Sequence, residues 1–202
     1  MSNPDRRHIT IILDRSGSMG SVKADTEGGL KAFLAEQAAN PGETFVSLYQ
    51  FDDEYEPVYE FTALADVPDY RLQPRGYTAL LDAVGKTLTT MRDQFDAMPE
   101  ADVPGNITVV ILTDGQENAS KEWRSRSKIR HLIEDLQRQG WTFIFLGADQ
   151  DAFTAAGDIG IGADTTLSYS SRRTTETMTR AGRLVSRGGG GFTQDDRDAT
   201  RY

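Results

Sequence analysis

The run HITIILD at residues 8–14 passes directly into RSGSMG at residues 15–20. The first part is apolar and rich in β-branched residues, the composition of a buried strand. The second part is a glycine-bearing turn in which oxygen recurs at alternate positions, on Asp14, Ser16 and Ser18. A strand this hydrophobic, ending in a knot of oxygens with no evident packing role, points to a ligand site at its carboxyl end.

Outward from this strand the pattern alternates. SVKADTEGGLKAFLAEQ (21–37) has Val22, Leu30, Phe33 and Leu34 at helical spacing. Gly28 and Gly29 each weaken such a helix by about 1 kcal/mol relative to alanine, so close packing is the expected reason for them. ETFVSLYQF (43–51) and PVYEFTA (57–63) alternate apolar with polar, and the acidic DDEYE between them suits a hairpin loop. YTALLDAVGKTLTTMRDQFDAM (77–98) reads as a long amphipathic helix stopped by Pro99. NITVVILTD (106–114) reads as a central strand. A helix follows with Ile129, Leu132, Ile133 and Leu136 inward, closed by Gly140. WTFIFLGAD (141–149) and TTLSYS (165–170) read as strands, QDAFTAAGDIG as a short helix and turn, and residues 170–187 as a terminal helix. This order predicts an α/β fold with a doubly wound, mostly parallel sheet, helices on both faces and one antiparallel edge strand. One domain is expected over residues 1–187, with a flexible glycine-rich tail over 188–202.

The chain has 202 residues, 38% of them hydrophobic, which is enough for one core. Its net charge is −9, and seven arginines against four acids from Ser170 onward leave the remainder more acidic still. An acidic body repels phosphate backbones, so no nucleic-acid partner is expected. No apolar run approaches a membrane span, and the N-terminal residues lack a signal-peptide pattern. With no cysteine, disulfides and thiolate chemistry are excluded. A soluble, cytoplasmic protein without a membrane partner is the expectation.

In doubly wound sheets, ligands bind beyond the carboxyl ends of the strands where strand order reverses, between the first and fourth strands in the usual order. Here the first strand ends in Asp14 and the fourth in Asp114. Two carboxylates so placed repel, and a cation relieves them. Ser16, Ser18 and Thr78, the last on the loop feeding the long helix, complete a set of oxygen donors. A set without imidazole or thiolate suits Mg²⁺, Mn²⁺ or Ca²⁺. A divalent ion that two carboxylates at most neutralise still attracts a further anionic ligand, such as the Asp or Glu of a partner protein.

DRSGSM, then Gly-Tyr-Thr at residues 76–78, then LTDG at 112–115 resemble the von Willebrand factor A (vWA) family and its metal-ion-dependent adhesion site (MIDAS). The resemblance implies a Rossmann-like fold and a Mg²⁺ held directly by Ser16, Ser18 and Thr78, with Asp14 and Asp114 acting largely through water. TDGQENAS and GADQDA are further similar to small intracellular bacterial or phage members of the family.

Enzyme motifs fare poorly. Gly85-Lys86-Thr87 imitates the end of a phosphate-binding loop, but Leu80 stands where that pattern needs glycine, and the stretch is read as surface helix. No nucleophile elbow occurs, and His8 and His131 read as structural. The basic run at 121–131 reads as a solvated helix face. The expectation is therefore a non-catalytic binding module whose rim includes Met19, Tyr77 and Gln116. Alternatives are an adaptor subunit of an AAA-type ATPase and a metal-dependent phosphohydrolase. The second would need Glu117 as its general acid or base.

Overall fold

The computed structural model describes residues 2–201. Strand β1 (Asn3–Asp14) is central. It pairs in parallel with β2 (Glu43–Phe51) on one side and β4 (Pro104–Thr113) on the other. Strands β5 (Thr142–Ala148) and β6 (Thr166–Tyr169) continue the parallel sheet, and β3 (Tyr55–Ala63) pairs antiparallel with β2. The order β3-β2-β1-β4-β5-β6 puts the antiparallel strand at one edge, as the hairpin reading predicts.

Alternation along the strands divides the core. Ile9, Ile11 and Leu13 of β1, with Val110 and Leu112 of β4, face helices α1 (Lys23–Ala38) and α5 (Thr174–Ser186). Ile12, Val109 and Ile111 face α2 (Leu80–Ala97), α3 (Arg126–Arg138) and α4 (Ala152–Asp158). A strand clothed on both sides has no polar face, which is why these segments read as apolar runs. Gly29 of α1 has a packing reason, whereas a Cβ on Gly28 would come no nearer than 3.9 Å to Thr175. A Cβ on Gly29 would lie 2.9 Å from Met178 Sδ of α5, and one on Gly182 would lie 3.2 Å from the Phe33 backbone. Small residues let the two helices touch closely.

Three departures from the sequence reading concern the scaffold. β1 begins at Asn3, because its polar start pairs with β4 and its Arg6 reaches both Glu43 and Asp102. Gly85 is not on the surface, since the Trp123 ring lies where a Cβ would go, and Thr87 is buried too. The tail from Gly188 is not free. Phe192 is buried, a helix α6 (Gln194–Thr200) follows, and Thr193 with Asp196 forms a capping box at its start. Arg197 of α6 donates to the carbonyls of Thr166 and Ala163, and Arg180 of α5 meets Asp196 at 2.8 Å.

Candidate metal centre

The register of the sheet brings the ends of β1 and β4 side by side, Leu13 opposite Leu112. Asp14 is wholly buried there. Its Oδ1 accepts from the Ser16 N–H at 2.7 Å and its Oδ2 from the Thr113 hydroxyl at 2.5 Å. The Ser16 and Ser18 hydroxyls are 3.2 Å apart, and Ser18 donates to Asp114 Oδ1 at 2.6 Å. Ser18 is exposed while Ser16 is buried, so the chain of oxygens runs from the interior to the surface.

Thr78 arrives from the other side. Its N–H donates to Asn118 Oδ1 at 2.9 Å, and its carbonyl accepts from the Asn118 and Ala119 N–H groups. The backbone is thus pinned, and the Thr78 side chain, 3% exposed as a residue, is held with its hydroxyl beside Gly115. A Cβ on Gly115 would come within 2.5 Å of that hydroxyl, so this position must lack a side chain for the pocket to close around it. Hydrogen bonds thus link Asp14, Ser16, Ser18 and Asp114, and Thr78 lies against Gly115, the residue after Asp114.

Electrostatics describe a site short of positive charge. Burial pushes the Asp14 carboxyl up to about 6, against the pull of the Thr113 and Ser16 hydrogen bonds and with a further push from Asp114. Burial also raises Asp114, offset by Ser18 and reinforced by Asp149. Among the described residues no three His, Cys, Asp or Glu side chains cluster as metal ligands. A cation here must rely on hydroxyls as well as the two carboxylates, a donor set that fits a hard ion. The Thr78 oxygen, in the space that Gly115 leaves open, fits the same ion.

The rim is partly corrected. Tyr77 is 70% exposed and Gln116 is also exposed, but Met19 is 1% exposed and packs in the core with Leu13 and Leu30. Residues Gly17–Val22 form a 3₁₀ turn, and that turn swings Met19 inward. Glu117 is committed elsewhere. Its oxygens accept from the N–H groups of Leu81, Ala119 and Ser120 and from the Ser120 hydroxyl, tying the loop after β4 to the start of α2. Sequence reasoning missed Thr113, which meets Asp14 across the strand ends, and Asn118, which meets Thr78 between loops, since contacts between distant segments leave no local pattern.

A depression of about 230 Å³ adjoins the centre between Gln116 and Asp151, floored by Leu80, Leu81 and Ile159. A larger groove of about 500 Å³ lies between α1 and the segment 64–71, away from these oxygens.

The fold and the site together define an α/β domain of the Rossmann-like type with an oxygen-donor centre at its crevice. Residues 8–180 match the von Willebrand factor type A domain, and the chain belongs to that family. No curated protein matches the chain in sequence. Among solved structures it is similar to proximal thread matrix protein 1 from the mussel byssus, with TM-score 0.65 and 16% identity over 92% of this chain and 49% of that one. Another structure of the mussel protein has a zinc-occupied MIDAS motif (TM-score 0.64, 16% identity, 92% and 46% covered). The chain is also similar to the ArnB paralog VWA2 from Sulfolobus acidocaldarius, at TM-score 0.58 and 20% identity over 89% of this chain and 45% of that one. It thus spans about half the length of these structures. Domains of this family commonly serve as metal-dependent protein-interaction modules.

Proposed function

We propose that this chain captures a partner protein through a divalent cation, with Mg²⁺ the first choice and Mn²⁺ or Ca²⁺ of the same class. Ser16, Ser18 and Thr78 would hold it, with Asp14 and Asp114 supplying the negative charge. The bound ion supplies a positive acceptor for an Asp or Glu of the partner. The observation that carries this reading is the convergence of the Ser16, Ser18 and Asp114 oxygens at the buried Asp14, with the Thr78 hydroxyl beside Gly115. Tyr77 and Gln116, exposed beside the donors, form the contact rim. A non-catalytic role is favoured because Glu117, the one acid suited by sequence to proton transfer, is saturated by backbone N–H groups.

Mg²⁺ titration calorimetry on wild type and Asp14→Ala tests the reading. Wild type should bind and the variant should not, while both melt cooperatively. Partner capture from native lysate should be lost with chelator and with Asp14→Ala. Equal Mg²⁺ affinity of the two proteins, or capture indifferent to chelator, refutes it.

A further inference from the structure

Several loops must stay in register for the donors to meet, and one buried carboxylate outside the donor set fastens two of them. Asp52 follows β2 and is 1% exposed. Its Oδ2 accepts from Arg15 Nε at 2.9 Å and from Arg75 Nε at 2.7 Å, and its Oδ1 from the Glu54 N–H at 2.6 Å. Its backbone carbonyl accepts from the Ala79 N–H at 2.8 Å, one residue beyond Thr78. Arg15 stands between Asp14 and Ser16. Its N–H donates to the Phe51 carbonyl and its own carbonyl accepts from the Arg75 N–H, each at 2.8 Å. Asp52 therefore joins the loop bearing Asp14, Ser16 and Ser18 to the loop bearing Thr78.

Charge makes this more than a fastening. Arg15 is a guanidinium only 5% exposed, adjacent in sequence to two of the donors. Its Nη1 meets Glu56 at 2.6 Å, but the Glu56 side chain is 54% exposed. Its Nη2 is buried and, among the described residues, has no partner. Asp52 is thus its buried counter-charge. Left uncompensated, a buried positive charge within an arginine's length of a cation site repels the cation, with little screening from solvent.

Resting on the cation reading above, we propose that Asp52 is a positioning residue that sets the cation affinity of the site without touching the ion, by clamping these loops and neutralising Arg15. A clamp that acted only as structure would make every disruption weaken binding. Charge compensation instead gives the two partners opposite signs.

The experiment is Mg²⁺ titration calorimetry at fixed ionic strength on wild type, Asp52→Asn, Arg15→Gln and the double variant, with thermal melts in chelator to compare folding. Asp52→Asn should bind about tenfold more weakly, Arg15→Gln more tightly than wild type, and the double variant within about threefold of wild type. Wild-type affinity in Asp52→Asn, or weakened binding in Arg15→Gln, overturns the proposal. If Asp52→Asn does not fold, the sign of the Arg15→Gln change decides alone. A wild type that binds no Mg²⁺ takes down the cation reading and this proposal with it. Wild-type affinity in Asp52→Asn takes down this proposal alone and leaves the cation reading standing.

Discussion

Two polar clusters sit at the same end of the sheet and are built in opposite ways. Where the loop after β4 meets the start of α2, Asp82 accepts from the N–H groups of Lys121, Glu122 and Trp123, and Glu117 accepts from three more. Every carboxylate oxygen there is answered by backbone. A few residues away, burial raises the carboxyls of Asp14 and Asp114, which accept mainly from the Ser16 N–H and the Thr113 and Ser18 hydroxyls. Buried polar groups that only support a fold satisfy one another. In the second cluster mostly hydroxyls answer the carboxylates, and burial still holds both carboxyls above their ordinary range, so a cation arriving from outside would relieve it; that difference separates scaffold from site where residue types alone do not.

The contrast can be broken most directly at Asp82. Asp82→Ala strands three N–H groups and should cost about 4 kcal/mol of stability in urea denaturation, with Mg²⁺ affinity of the folded fraction unchanged. Comparable loss of stability in Asp14→Ala would erase the distinction.

Next in size is a pH effect. In the metal-free protein the folded-state carboxyl of Asp14 sits at about 6, above the ordinary 3.8. The folded state therefore keeps a proton that the unfolded chain releases. Stability from this group is full below the unfolded value and falls as pH rises toward and past 6, by up to about 3 kcal/mol. The carboxyls of Asp53, Glu56, Asp151 and Asp196 are lowered and tilt the curve the other way. They do so in wild type and Asp14→Asn alike, so the difference between the two proteins at about pH 4 and about pH 7 isolates Asp14. Equal pH slopes would show that its carboxyl is not destabilised by burial.

Gly115→Ala sharpens the geometry. The new methyl meets the Thr78 hydroxyl, and Mg²⁺ binding should weaken about tenfold, or about 1.4 kcal/mol, with a small change in melting temperature. The smallest expected change is in the stability of Tyr77→Ala, within about 0.5 kcal/mol because the ring is exposed, while partner capture falls. A large destabilisation there would place Tyr77 in the scaffold.

The donor set was legible because it lies at strand ends and helix starts that hydrophobic periodicity locates well. Asp14 and Asp114 each follow an apolar run, and Thr78 precedes an amphipathic helix. Met19 was misread because a 3₁₀ turn, rather than an open loop, follows Ser16, and one turn of that spacing points its side chain inward. The tail was misread because four glycines outweighed a visible signal. TQDD at 193–196 has the spacing of a capping box, and Phe192 is an apolar anchor before it. The roles of Asp52, Asp82 and Glu117 had no signal, since each depends on contacts between segments far apart in sequence.

The docked tail has a consequence for handling the protein. Arg197 caps carbonyls at β6, the outermost strand on that side, and the only tie between α5 and α6 along the chain is the glycine stretch 188–191. A protease cutting there would do more than shorten the chain. It would loosen the guard on an open strand and bare backbone groups on which other copies can stack.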